Sequence, residues 1–318
     1  MFGRNAGVTI VALFTALIAG AGAALAQEVG LGAPFDWQMG FQEPASPVMR
    51  DIVEFHNLML WLVVSPVVIF VLGLMFYVVY RFNAKSNPVP SKNTHNATLE
   101  VLWTVVPIVI LVAMAIPSFK LLYKGDVVPS ATLVADLYGI DVAGEITLKA
   151  TGLQWAWEYE YVDDGVFLFS SCLYGPDYWC FGGEAPEGAQ RLLETDNPVV
   201  VPVNTLIKVQ VTAGTVLHAW AVPAFGVKID AVPGRLNETW FVAERIGTYY
   251  GQCSELCGRY HSYMPIQVNV VSQADYDAWM AGQLAAIQPD RLKAPSTQLA
   301  QQSIPTRRAL ANAPGIAN

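Results

Sequence analysis

Cys253-Ser-Glu-Leu-Cys257-Gly-Arg-Tyr-His261-Ser-Tyr-Met264 is the stretch on which the fold of this chain turns. Four candidate metal ligands fall within these twelve residues. A fifth, His218, stands upstream in the strand-like VLHAWAVP (216–223). Thiolate and thioether are soft ligands that favour copper, and imidazole suits copper or zinc. Two His, one Cys and a weak axial Met make a blue-copper set on a β-sandwich. His218, Cys257, His261 and Met264 supply that set, and Cys253 is one ligand more. Two thiolates can bridge two copper ions. Each copper then takes one imidazole, with Met264 on one side and a backbone carbonyl, that of Glu255, on the other. An odd electron shared by two bridged metals spreads the charge change, so little rearrangement accompanies reduction. Two other readings stay open on the residues alone. One is a Cys253–Cys257 disulfide in an oxidising compartment. The other is a Cys₂His₂ zinc site, which has no use for Met264.

Outward from that loop the texture is β. EITLKATG (145–152), QWAWEYEY (154–161), VVVPVNTLIKVQVTA (199–213), TWFVAER (239–245) and MPIQVNVV (264–271) are short runs of β-branched and aromatic residues broken by Gly, Pro and Asn. Such punctuation predicts a sandwich or barrel over residues 143–280. If QWAWEYEY is one strand, Trp155 and Trp157 face the same side and Ala156 the other. ADYDAWMAGQL (274–284) predicts a closing helix. The tail, 281–318, has little bulk and is expected to be disordered. Cys172 and Cys180 sit in SSCLYGPDYWCFGGEAPEG (170–188), an insertion between strands, where a disulfide closing the loop is expected.

Further upstream lie two apolar segments, 55–80 and 98–123. A bilayer core of about 30 Å needs about 20 apolar residues in a helix, and neither segment shows a polar face. Pro66, Pro107 and Pro117 are tolerated in such spans. The loop between them, 81–97, carries Arg81, Lys85 and Lys92 and no acid, which predicts a cytoplasmic position. Residues 1–26 read as a signal peptide, with Arg4, an apolar run and Ala24-Leu25-Ala26 before the cleavage point. Residues 27–54 and the linker 124–142 then lie outside with the β domain. Over the 318 residues, 53% are hydrophobic, 14% are charged and the net charge is -8. That acidity excludes nucleic acid as a partner and suits a cationic one. No Cys-x-x-Cys-His pattern occurs, so no attached c-type haem is expected.

The loop Gly251-Gln252-Cys253-Ser254-Glu255-Leu256-Cys257-Gly258, with His261 and Met264, resembles the CuA site of cytochrome c oxidase subunit II. The resemblance extends to Gly40-Phe41-Gln42 with Ser46-Pro47, to Glu100 with Trp103-Thr104-Val105-Val106-Pro107, and to the segments 222–228 and 230–236. It implies a two-helix transmembrane hairpin followed by an all-β, cupredoxin-like Greek-key sandwich. It implies a subunit of cytochrome c oxidase that takes electrons from cytochrome c at a two-copper CuA centre. Those electrons pass to haem in subunit I, where O₂ is reduced to water and protons are translocated. The implied setting is a bacterial inner membrane, with the CuA domain in the periplasm and subunits I and III as neighbours. By the same resemblance the Glu255 carboxylate holds a Mg²⁺ or Mn²⁺ shared with subunit I, and electrons enter at Trp155. Glu100 marks the mouth of a proton path, and Glu160 and Asp196 fall at docking positions. The chain departs from the pattern at Gly214 and Thr215, where many relatives carry acids. Leu153 and Ala156 likewise replace bulkier residues, so the carrier is expected to dock differently or to be membrane-anchored. A quinol oxidase subunit would share the fold and lack both cysteines and His261.

Overall fold

The structure, a computed structural model, describes residues 32–164, 168–174 and 186–286. The expected signal peptide, Cys180 and the tail beyond residue 286 lie outside the described residues.

Two long helices come first, α1 (Pro47–Arg81) and α2 (Ala97–Asp126), and among the described residues nothing covers their most apolar stretches. Helices this long and apolar, with such stretches bare of the described residues, have the form of membrane spans. Helix α1 begins at Pro47 rather than at the expected Phe55. Ser46 caps it: its Oγ accepts from the Met49 N–H at 3.1 Å and donates to the Phe225 carbonyl at 2.7 Å. Pro47 takes the first helical position, where no N–H is needed. A wider π turn occupies Leu60–Val64, and Ser65 gives both its N–H and its Oγ (2.8 Å) to the Leu60 carbonyl. Pro66, which has no N–H, stands just beyond this turn. Helix α2 opens on a reciprocal cap. Asn96 Oδ1 accepts from the Leu99 N–H at 3.2 Å, and Glu100 Oε1 accepts from the Asn96 N–H at 3.1 Å. Pro107 and Pro117 both lie inside it.

The outer ends of the two helices are tied together and to the β domain. Lys124 Nζ meets Asp51 Oδ2 at 2.7 Å, and Trp240 Nε1 donates to the Lys124 carbonyl at 3.0 Å. The expected linker, 124–142, contains a third helix, α3 (Ala131–Tyr138). Ser130 caps it, and Gly139 ends it in the left-handed region at φ 66. Its Val134 is fully buried in a small core with Val48, Leu206, Trp240 and Val242.

Ten strands follow among the described residues: β1 (Glu145–Leu153), β2 (Ala156–Tyr161), β3 (Leu168–Ser171), β4 (Val199–Pro202), β5 (Leu206–Ala213), β6 (His218–Val222), β7 (Val227–Ala231), β8 (Asn237–Val242), β9 (Gly247–Gln252) and β10 (Pro265–Val271). One sheet runs β3-β2-β1-β5-β8 and another β4-β10-β9, while β6 and β7 form a two-stranded ribbon. β1 pairs parallel with β5, and β4 parallel with β10, so chain-distant strands lie side by side. Strands β1 and β5 alternate buried and half-exposed residues, which packs one face of the sheet. Trp157, Tyr159, Tyr161, Trp220, Phe225, Phe241 and Tyr249 fill the core. Helix α4 (Gln273–Ala286) closes it with Tyr276 and Met280. The expected closing helix 274–284 runs on to Ala286, so residues 281–286, which the expected tail also took in, are helical. The architecture is the expected one: a transmembrane hairpin followed by an all-β sandwich.

Candidate metal centre

Strands β9 and β10 pair antiparallel, with Gln252 opposite Pro265. The ligand loop 253–264 is thus the connection between two neighbouring strands, and its ends are held close. The Cys253 N–H donates to the Met264 carbonyl at 3.4 Å. The Ser254 N–H donates to the Ala219 carbonyl at 3.1 Å, which fastens the loop to β6 beside His218. His261 opens a short 3-10 turn.

All six expected donors converge. Cys253 Sγ and Cys257 Sγ lie 3.9 Å apart, far beyond the disulfide bond length of about 2.05 Å, and both are free. The structure does not join this pair as a disulfide. His218 Nδ1 is 3.8 Å from Cys253 Sγ, and His261 Nδ1 is 3.5 Å from Cys257 Sγ. Met264 Sδ is 3.5 Å from Cys257 Sγ, and the Glu255 carbonyl oxygen is 3.3 Å from Cys253 Sγ. Each sulfur therefore has one imidazole beside it and one further weak donor. His218, Cys253, Cys257 and Met264 are buried, while His261 is half-buried at the rim.

The electrostatics favour a cation. Burial, and then the neighbouring His261, lower the His218 pKa to about 4, so its ring is neutral and ready to ligate. Burial, and then the adjacent Cys253, push the Cys257 thiol up to about 12. Two buried thiols this close ionise only when a positive charge compensates them. His218 Nε2 is buried and finds no hydrogen-bond partner among the described residues, so the ring's polar company there is the sulfur cluster. Two soft thiolates, a thioether, two imidazoles and a carbonyl fit copper, and the thioether is surplus to a zinc site.

The tryptophans differ from expectation. Trp155 is not in a strand. It sits with Gln154 in the tight turn between β1 and β2, half-buried, while Ala156 and Trp157 are both buried. The turn replaces the continuous strand because β1 and β2 fold back on one another, with Leu153 opposite Ala156. Trp155 Nε1 donates to the Cys257 carbonyl at 3.1 Å, and Gln154 Nε2 donates to the same oxygen at 3.3 Å. Trp157 is a core residue. Its Nε1 donates to the Met264 carbonyl at 3.4 Å, and its ring lies 6.0 Å from that of His218.

Two glycines make room for this packing. A Cβ at Gly152 on β1 would lie 2.8 Å from the His218 ring. Gly258, at φ +118, lies against the Trp155 ring, 3.1 Å from where its Cβ would be. Gly258 stood in the motif that carried the resemblance without a role of its own, and neither Gly152 nor Gln154 stood out in the sequence. The available signal was a glycine ending a β-branched run and a polar residue beside a tryptophan.

The remaining expected site residues lie apart from the sulfur cluster. Glu160 is ion-paired to Lys149 at 3.1 Å. Asp196 Oδ1 accepts the Cys172 N–H at 2.7 Å, and burial raises its pKa. Glu100 caps α2. Cys172 is buried and held in a disulfide, and its expected partner, Cys180, is outside the described residues.

Residues 146–271 match the family described as cytochrome C oxidase subunit II, periplasmic domain, and residues 34–121 match its transmembrane domain. A probable cytochrome c oxidase subunit 2 of Rickettsia conorii is 44% identical over 248 residues, covering 78% of this chain and 72% of that one. Cytochrome c oxidase subunit 2 of Triticum aestivum is 44% identical over 249 residues, covering 78% and 90%. A crystal structure of the periplasmic domain of subunit II of cytochrome oxidase (CoxB) of Bradyrhizobium japonicum is 46% identical, covers 51% of this chain and 100% of that one, and has a TM-score of 0.42. Two uncovered apolar helices, a β domain carrying a convergent Cys/His/Met cluster, and family matches over both regions agree: this chain belongs to the cytochrome c oxidase subunit II family, the membrane-bound second subunit of the haem–copper oxidase complex.

Proposed function

We propose that this chain receives electrons from a cytochrome c at Trp155 and delivers them to a haem in subunit I. There O₂ is reduced to water with proton translocation. The observation that carries the proposal is the hydrogen bond from Trp155 Nε1 to the carbonyl of Cys257, a ligand residue of the six-donor cluster. It gives a partly exposed aromatic a single short connection to the buried sulfurs.

His218, Cys253, the Glu255 carbonyl, Cys257, His261 and Met264 would hold the two coppers of a CuA centre. When bound, such a centre takes up and releases one electron with little change of shape. The chain's own part is to fix that shape. The β9–β10 connection clamps the ends of the ligand loop, the Ser254–Ala219 bond sets it against His218, and Trp157 buttresses Met264. Gln154 and Trp155 hold the Cys257 carbonyl from outside, and the buried walls exclude water.

The side chain of Glu255, part-exposed on a loop whose carbonyl faces inward, is free to point towards subunit I, where a Mg²⁺ or Mn²⁺ would take it. Glu100, at the loop end of α2, is offered as the mouth of a proton path. The basic loop 81–97 supports a cytoplasmic position for that end and a periplasmic one for the β domain, and the family likeness supports a bacterial inner membrane with subunits I and III as neighbours. There Cys172 pairs with Cys180. Met264 disfavours a zinc-stabilised module, and the two cysteines with His261 disfavour a quinol oxidase subunit.

The test is Trp155→Ala in the assembled oxidase. Electron uptake from cytochrome c should slow by about tenfold or more, since small losses of positioning carry costs of that order. The copper spectrum should stay intact. An unchanged uptake rate would remove Trp155 from the path.

A further inference from the structure

We infer that the segment 33–42 is a membrane-surface anchor. It reaches down beside α1 and sets Phe35, Trp37 and Met39 into the boundary between headgroups and acyl chains, on the β-domain side of the bilayer. The inference goes beyond electron transfer and does not depend on it.

Both ends of the segment are fastened to the β domain. The Gly32 carbonyl accepts the Tyr250 N–H at 3.1 Å. On the return limb Arg245 reaches the Glu43 carboxylate at 2.6 Å and the Pro44 carbonyl at 2.7 Å, and the Ala45 N–H donates to the Ala224 carbonyl at 2.8 Å. Between these fixings the chain leaves the domain. The Phe41 ring meets the His56 ring edge-on, with centroids 4.8 Å apart. At 1.5 Å per residue, His56 is about 15 Å down α1 from the Ser46 cap. Phe41 therefore hangs well below the junction of hairpin and domain. Just before it the chain turns tightly: the Gln38 N–H donates to the Phe35 carbonyl at 3.2 Å, and Gln38 Oε1 accepts the Phe35 N–H at 3.3 Å.

Helix α1 sets the depth. Residues 58–80 carry no charge, and at 1.5 Å per residue they span roughly 35 Å, close to a hydrocarbon core of about 30 Å. His56, whose Nδ1 lies 3.4 Å from Asn57 Oδ1, and Asn57 itself are the last polar residues before that run. They mark the edge of the core, and Phe41 stands at their level. What the loop offers there is apolar. Among the described residues nothing covers Trp37, which is 90% exposed, or Met39, which is fully exposed, and Phe35 is 40% exposed. Asp36 is the only charged residue in 33–42, so the segment has no cation with which to hold an anionic headgroup. A tryptophan among apolar side chains suits the membrane boundary, where its ring lies at headgroup level. Level and composition together commit the loop to the lipid surface. A third contact beside the two spans then fixes the height and tilt of the β domain.

The experiment uses the intact oxidase in phosphatidylcholine bilayers. Met39→Cys takes a nitroxide label, and the parent oxidase, treated in parallel, gives the background. Power saturation reads the label's collisions with O₂, which concentrates in lipid, and with a nickel chelate, which stays in water. Collisions with O₂ should outnumber those with the chelate, and their ratio should place the label within about 5–10 Å of the headgroup–acyl boundary. In the unaltered oxidase, a phosphatidylcholine carrying a photoactivated carbene near its glycerol should mark the peptide 32–50 at Trp37 or Met39. Should the cysteine variant fail to assemble, the carbene lipid alone decides. A label as open to the chelate as to O₂ would leave the loop in water. A label closed to both would set it against a neighbouring subunit. Either result, or a carbene lipid that marks α1 beyond Leu58 and spares 32–50, would overturn the anchor.

Discussion

Cys257 holds the centre of the site: its sulfur lies within 4 Å of Cys253, His261 and Met264, and its carbonyl takes the Gln154 and Trp155 side chains. Cys257→Ser keeps the volume and removes the soft bridging ligand. Copper content should fall from two per chain to one or none, which metal analysis of the purified chain measures. His218 predicts a pH dependence. Unfolded, it takes a proton near 6.5, whereas folded and metal-free it does so only near 4. Between those values the unfolded state binds more protons. Stability of the metal-free chain should therefore be full above pH 6.5 and fall as pH drops towards 4, by roughly 3 kcal/mol in all. Melting temperatures at pH 7 and pH 5 test the sign, and no drop at pH 5 would contradict the burial of a neutral ring. At this scale the ligands were legible because four of them share one short loop with distinctive soft donors. Gln154 was not, because its role depends on a loop about a hundred residues away.

Elements divide in the same way. Spans α1 and α2 were readable from uninterrupted apolar runs, and the strands from β-branched runs between turns. Helix α3 was missed because eight residues are too few to show a period, and its buried Val134 answers to partners distant in the chain. The start of α1 at Pro47 was signalled by Ser46-Pro47, but its apolar run begins only later. The capping bonds of Ser46 join α1 to the β domain, so Ser46→Ala should cost about 1–2 kcal/mol and loosen that junction. Hydrogen exchange at 47–50 and at 223–226 would show both segments opening together. Between β1 and β6, Gly152 admits the His218 ring. Gly152→Ala forces a methyl to 2.8 Å from it. The expected cost is about 1–3 kcal/mol, with weakened copper retention, and a variant that melts and binds copper like the parent would disprove the tight packing.

On the scale of the whole molecule, the fold brings a partly exposed tryptophan, a buried soft-donor cluster and a membrane hairpin into one chain. Lys124 with Asp51 ties the two helices together, and Trp240 with the Lys124 carbonyl joins the hairpin to the domain that holds the cluster. The proposed orientation rests on Arg81, Lys85 and Lys92 in the loop between the spans. A cysteine placed at Ser86 should react with an impermeant thiol reagent only after the membrane is opened, and labelling of intact cells would reverse the topology. What matters most is whether the six donors hold two metals as one unit. Copper analysis with electron paramagnetic resonance on the full-length, copper-loaded chain tests this most directly. The account predicts two coppers per chain and a seven-line hyperfine pattern, the signature of one unpaired electron shared by two equivalent copper nuclei. One copper with a four-line pattern, or a colourless zinc protein, would contradict it.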